Sequence, residues 1–322
     1  MPSFIEIPPW FLRIFALSFG LVWGSFLNVV IHRVPRGESV VRPASRCPHC
    51  GVPIRPWNNV PVFSWLLLLG RARCCGAKIS PRYVLVEAAG GLLALAIVEA
   101  IVLPLPIETS LLRATMVFLS AFALALGLMA AAFIDLEHMY IPDSISIGAV
   151  VLGLATFSLR PPLTWMEALG ASVAGFLLVW LVFGVLYRWV RGRTGMGLGD
   201  AKLLAVAGAW FGWKGMVFAL LAGAVQGTMA ALLILIVRGK LEEPEAVERE
   251  RETLLAEVAA IEDEEQRREA EAELLKDPIF EPNSGGAGGS RIAFGPFLVL
   301  AIIEYLLVGR SLIDQYVTWL GY

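Results

Sequence analysis

The chain has 322 residues, of which 57% are hydrophobic and only 17% charged, with a formal net charge of −2 at pH 7. Soluble globular domains carry about 25% charged residues, so an ordinary soluble protein is excluded. The small net charge says little about partners; a lipid bilayer is expected and a nucleic acid is not.

Long apolar runs alternate with short polar stretches, each run close to the ~20 residues that cross a bilayer. The sequence therefore predicts an all-α polytopic membrane protein with about eight transmembrane helices and a small cytoplasmic Cys-containing loop domain. The spans fall at roughly 10–31, 84–104, 112–134, 144–159, 165–188, 200–213, 215–237 and 292–309, the fourth and sixth being short. Met1 to Pro9 lacks the basic start of a cleavable signal, so the first run is expected to stay as a helix. Five regions follow: the first helix (1–31), the Cys loop (32–83), a membrane core (84–237), an acidic insert with a Gly-rich linker (238–290) and the last helix with the C-terminus (291–322).

Basic residues fix the orientation. Arg33, Arg36, Arg42, Arg46, Arg55, Arg71, Arg73, Lys78 and Arg82 fill the Cys loop. Arg188, Arg191 and Arg193 follow the fifth span, and Arg238 and Lys240 follow the seventh. With the N-terminus outside, all these clusters share the cytoplasmic side, leaving isolated cations such as Arg113, Arg160, Lys214 and Arg310 on the other. Phe63 to Leu69 is apolar but too short to span, and is expected in a buried core or at the membrane surface. Leu241–Lys276 is dense in Glu and Arg, with Val247, Leu254, Leu255, Val258 and Ile261 at near-helical spacing, which predicts a helix or helical hairpin. This insert either stays a solvated hairpin or serves as a docking surface for a basic segment or an assembly partner. Asn283–Ser290 reads as a flexible linker.

Carboxylates beside a span are costly and are functional candidates. Asp135 follows the third span, in a stretch that also holds Glu137, His138 and Asp143. Asp200 begins the sixth, after Gly195, Gly197 and Gly199, which permit unusual backbone conformations and close approach. Both aspartates map to one membrane face. A close pair shares one proton, so one carboxylate can activate a water while the other protonates a substrate carbonyl. This chemistry needs no metal. Glu137 and Asp143 stay open as alternative partners, Asp143 also as the N-cap of the fourth span, and all of these acids as interfacial caps. His32 and His138 read as polar interface residues, with His138 alternatively a hydrogen-bonding neighbour of the aspartate pair. A carboxylate-dependent ion transporter and a zinc-bearing scaffold are the competing function classes, although Glu87, Glu99, Glu167 and Glu304 lie toward span ends rather than middles.

All four cysteines, Cys47, Cys50, Cys74 and Cys75, lie in the one loop. A reducing compartment favours metal over disulfide, and the spacing suits a tetrahedral structural zinc site. A metal-free, reduced loop is the alternative.

At this point the motifs resemble the type IV prepilin peptidases of the GxGD aspartic class. Gly24-Ser25-Phe26-Leu27-Asn28-Val29-Val30 with Arg33 and Pro35, Cys47-Pro48-His49-Cys50, Asn58-Asn59-Val60-Pro61, Ser64-Trp65 and Ile79-Ser80-Pro81-Arg82-Tyr83 with Glu87 occur in the family's order. So do Asp135-Leu136 with Ile141-Pro142-Asp143, Gly197-Leu198-Gly199-Asp200 and Phe294-Gly295-Pro296-Phe297-Leu298. The resemblance implies a multi-pass protein of the bacterial inner membrane. It implies an endopeptidase that cleaves the basic leader of prepilins and pseudopilins at the cytoplasmic face, at a Gly–Phe bond, with Asp135 and Asp200 as the catalytic pair. Such enzymes serve type IV pili and type II secretion. The long N-terminal loop implies the form that also N-methylates the new terminus with S-adenosylmethionine; a form restricted to proteolysis is the alternative. No Gly-rich Rossmann fingerprint marks a methyl-donor site. The family's second cysteine pair is C-x-x-C, and here Ala72 stands at the third ligand position and Cys75 at the fourth. Cys74 then supplies the third thiolate from an adjacent position, or the site uses three thiolates with His49. The acidic insert lies outside the resemblance.

Overall fold

The computed structural model describes residues 6–187, 189, 196–239, 245–261, 263–274 and 293–309. Arg188, Arg191, Arg193, Lys240, Arg310 and the Asn283–Ser290 linker lie outside the described residues. Within them the chain is helical, its only pairing of extended backbone being two isolated bridges in the Cys loop.

The elements are α1 (Pro9–Arg33), α2 (Phe63–Leu67), α3 (Pro81–Ile97), α4 (Leu111–His138), α5 (Asp143–Ala155), α6 (Trp165–Val179), α7 (Leu198–Arg238), α8 (Glu245–Ala259), α9 (Glu264–Leu274) and α10 (Gly295–Glu304). Single π-helical turns extend α3 to Val102, α6 to Leu186 and α10 to Gly309. Five of these helices are long and apolar enough to cross a membrane, namely those beginning at Pro9, Pro81, Leu111, Trp165 and Leu198. The stretches Asp143–Ala155 and Gly295–Gly309 are apolar but shorter.

The sequence separates a sixth from a seventh span, whereas the helix runs on through Leu198–Arg238 with one break. Gly212 has φ 65° and ψ −157°, outside helical space. A Cβ there would sit in the left-handed half of the map and 2.7 Å from Glu167 Oε1, so only glycine fits the bend without strain.

α4 is the central helix. One of its faces, with Phe118, Phe122, Ala125 and Ile134, packs into a cluster with α1 and α3. The opposite face, with Leu124, Leu128 and Ala131, packs into a second cluster with α7 and α10. α1 and α3 cross where small residues meet: a Cβ on Gly90 would lie 2.7 Å from the Gly20 carbonyl oxygen. Between apolar helices in lipid such close backbone approach supplies the van der Waals contact that association needs. The outward residues, including Trp10, Phe15, Leu85, Leu221 and Ile236, are large, apolar and exposed, the surface a hydrocarbon solvent favours.

Several local expectations change. Asp143 is the first residue of α5 rather than its cap; Pro142 holds the N-cap position, and the Asp143 carboxylate is engaged elsewhere. Phe63–Leu69 is not a buried core: Phe63, Leu66, Leu67 and Leu69 are all exposed. Glu304 is the last residue of α10, toward the end of the apolar stretch as expected, and its Oε2 accepts a hydrogen bond from Gln226 Nε2 at 2.7 Å. The insert folds as two helices, α8 and α9, with Val247 buried.

Candidate active site and cysteine cluster

α4 stops one turn after Asp135. Met139 takes the left-handed conformation at φ 55° and its N–H closes on the Asp135 carbonyl at 2.9 Å. Pro142 then prevents the helix from resuming before α5. Asp135 thus occupies a last turn, 7% exposed, and its carboxylate accepts the backbone N–H of Gly295 at the start of α10.

Asp200 lies in the first turn of α7, 9% exposed. Its Oδ2 accepts the Gly197 N–H at 3.2 Å, satisfying an amide that the helix start would otherwise leave without a partner. Both carboxyl groups therefore sit at helix N-termini, where the dipole and free amides favour negative charge. They lie within electrostatic range of one another.

Ile141 closes the space between them. A Cβ on Gly199 would meet Ile141 Cδ1 at 3.1 Å, and one on Gly295 would meet the same atom at 3.1 Å and Asp135 Oδ2 at 2.5 Å. Of the glycines before Asp200, Gly199 serves this close approach. Gly197 is ordinary extended backbone at φ −76° and Gly199 is helical, so no unusual conformation is required of either. Glu137 and Asp143, the alternative partners, are turned to other helices: Glu137 pairs with Arg82 and Asp143 with Lys202. His138 ends α4 with its ring 6.4 Å from that of Tyr140. Ile141 belongs to the site through packing, and Gly295 through packing and its backbone N–H. The sequence holds them in motifs, but nothing in their chemistry announces the role.

The cysteines form a second cluster. Residues 46–53 and 71–78 fold as two copies of one turn. Bridges join Arg46 to Pro53 and Arg71 to Lys78. Cys47 N–H donates to the Val52 carbonyl at 2.9 Å, as Ala72 N–H does to Ala77 at 2.8 Å. Gly51 and Gly76 close the turns, each at φ 70°. In this correspondence Ala72 matches Cys47 and Cys75 matches Cys50. Cys74 nonetheless brings its sulfur in: the four Sγ atoms lie within 4.8 Å of one another, with Cys50–Cys74 at 3.3 Å, Cys47–Cys75 at 3.7 Å and Cys74–Cys75 at 3.9 Å. A tetrahedral site with Zn–S bonds of about 2.3 Å needs sulfurs about 3.8 Å apart, so the residues fit a four-thiolate metal. Backbone N–H groups of Cys50 and His49 draw the Cys47 thiol down to about 6, while hydrogen bonding to Cys50 pushes Cys74 up to about 12.

A strained turn inside this loop is tied to α3. Val62 has φ 64° and ψ −52°, and Phe63 N–H reaches back to the Pro61 carbonyl at 2.7 Å. That is a γ-turn of the rare positive-φ kind, on a β-branched residue. The Val62 N–H is held by Glu87 Oε2 of α3 at 2.7 Å.

Two family models match the chain. Residues 18–101 match the bacterial peptidase A24 N-terminal domain and residues 122–232 the type IV leader peptidase family. Curated relatives are named prepilin leader peptidase/N-methyltransferase. That of Stutzerimonas stutzeri is 37% identical over 243 residues, covering 68% of this chain and 80% of the relative. That of Neisseria gonorrhoeae is 36% identical over 250 residues, covering 70% and 83%. That of Klebsiella pneumoniae is 35% identical over 222 residues, covering 67% and 92%. No solved structure matches the chain.

Proposed function

Because the chain belongs to the type IV leader peptidase family, we propose that it cleaves the leader of type IV prepilins and pseudopilins with Asp135 and Asp200 as its catalytic pair. The observation that carries this reading is the convergence of two buried aspartates at facing helix ends, across Ile141. One carboxylate takes a proton from water as that water attacks the scissile carbonyl. The other gives its proton to the carbonyl oxygen; the proton taken from water then passes to the leaving amine, and the diol hydroxyl returns a proton to the second carboxylate as the C–N bond breaks. The scissile bond is Gly–Phe, and the site faces the cytoplasm across the bacterial inner membrane. Counting the two sides of the Gly212 bend separately, and including α5 and α10, the membrane part makes eight crossings with the N-terminus outside. The division of the chain is that of the sequence reading, with 32–83 as the Cys-bearing module and 84–237 as the peptidase core.

The relatives' names also support N-methylation of the new terminus by S-adenosylmethionine, which supplies the methyl group; the geometry assigns no residues to that donor. Cys47, Cys50, Cys74 and Cys75 would hold a structural zinc and tie the two turns of the loop together. The test is cleavage of a prepilin by the purified enzyme in detergent. Asp135→Asn and Asp200→Asn should each lower turnover by about a thousandfold or more while inserting normally. Near-normal cleavage by either variant would remove the aspartyl reading. Mass spectrometry of the mature product decides methylation, an unmodified terminus restricting the enzyme to proteolysis.

A further inference from the structure

Both aspartates lie in terminal turns, where intrahelical hydrogen bonds are fewest and local opening is easiest. Two residues beyond each, the chain carries a charge: Glu137 after Asp135 and Lys202 after Asp200. Each of those charges is paired with the first turn of a neighbouring helix. Arg82 of α3 pairs with Glu137, and Asp143 of α5 pairs with Lys202. Arg82 also lies over the Phe133 ring, 5.5 Å from its centroid. Residues four apart share a helix face and a residue midway between them points away. Arg82 therefore grips the back of the turn, through 133 and 137, while the Asp135 carboxylate faces Gly295 on the other side.

We propose that Arg82–Glu137 and Lys202–Asp143 are positioning ion pairs that set the two aspartate-bearing helix ends in register with each other. The proposal rests on the aspartyl peptidase reading. Its further content is that Arg82 makes the Cys-bearing segment part of the frame of the proteolytic site, because α3 starts directly after that segment. Lys202 acts in parallel: through Asp143 it holds the start of α5, and so Ile141 and Pro142, against the Asp200 turn. Neither pair touches the reacting atoms. The side chains of Arg82 and Glu137 are 37% and 36% exposed, and pairs exposed to this degree contribute little to global stability. Their effect should appear in placement, where an error of about 1 Å costs on the order of a hundredfold in rate.

The test is charge reversal in the full-length enzyme, with prepilin cleavage as the assay. Arg82→Glu and Glu137→Arg should each lower kcat about tenfold or more, with KM within about twofold and the unfolding temperature near that of the unaltered enzyme. The combined reversal should recover most of the lost kcat. Lys202→Glu, Asp143→Lys and their combination form the second arm, with the same pattern expected. Single variants that keep kcat, or a combined variant no better than the worse single, would overturn the proposal. Should a reversal variant fail to insert, Arg82→Gln and Glu137→Gln singly and together carry the same test, strictly independent effects being the overturning result. Asp135→Asn and Asp200→Asn run alongside. Activity in those variants overturns the aspartyl reading itself, whereas inactive Asp variants beside silent ion-pair variants overturn only the positioning role.

Discussion

Gly295 donates its backbone N–H to the carboxylate of Asp135, so the first residue of α10 orients a side chain in the last turn of α4. A Cβ at position 295 would lie 2.5 Å from Asp135 Oδ2, closer than any relaxed contact. Gly295→Ala should therefore displace the carboxylate and lower kcat for leader cleavage by about ten- to a hundredfold. The variant should still insert and remain folded, which circular dichroism in detergent checks.

The pH dependence follows from two carboxyl groups that must hold different protonation states at once. Plots of kcat/KM against pH should be bell-shaped, the two limbs belonging to the pair rather than to either residue. Asp200→Asn should abolish the bell along with the activity, leaving only a flat residual rate. A wild-type profile with a single limb would contradict shared protonation.

The cysteine cluster predicts one zinc per chain by elemental analysis, falling toward zero in Cys50→Ser and Cys74→Ser. Because Ala72 occupies the place equivalent to Cys47, the combined variant Ala72→Cys/Cys74→Ala should retain the metal by restoring the repeated pattern of the two turns. Metal loading needs all four sulfurs deprotonated and releases their protons, so affinity should fall as pH falls. Without metal, the lowered Cys47 thiol works in the same direction. Its contribution to stability is present above its ordinary value and is lost as pH falls through about 6.

Val62 offers a stability test. Its left-handed backbone strains a β-branched residue by about 1 kcal/mol or more, partly offset in Val62→Gly by the entropy of glycine. Val62→Gly should thus raise the unfolding temperature slightly. Glu87→Ala, which strips the Val62 N–H of its acceptor, should destabilise by about 1–3 kcal/mol.

Gly212→Ala should destabilise the bend in α7. The added methyl would meet both an unfavourable φ of 65° and the Glu167 carboxylate, at about 2 kcal/mol or more. Faster proteolysis and a lower unfolding temperature in detergent would report it.

The sequence made the apolar helices legible because each lipid-crossing segment must satisfy its own backbone and so announces itself by length. Asp135 and Asp200 were visible for a related reason: an acid beside a span is costly enough to stand out. The match of Cys-Pro-His-Cys with Ala-Arg-Cys-Cys came only through the family resemblance, and that the two stretches repeat one turn shows only in their hydrogen bonds. Gly295, Ile141 and Arg82 were not visible as parts of the site. Their roles come from which helix ends meet, and residue type alone says nothing of that. The Gly212 bend was anticipated only as a gap between two spans, since an isolated glycine in an apolar run does not disclose its φ.

α4 has a neighbour on both sides, and apart from the Glu137–Arg82 pair at its end, the face it presents to α1 and α3 is hydrocarbon: Phe118, Phe122, Ala125 and Ile134. In water, removing that partner would uncover a sticky face. In a bilayer the acyl chains can take its place, since lipid is as apolar as the side chains it would replace. A chain trimmed of everything before α4 would thus exchange protein contact for lipid contact along that face at modest cost, keeping Asp135, Asp200 and Gly295 together but losing the hold of Arg82 on Glu137. The membrane itself would be the understudy for the missing helices.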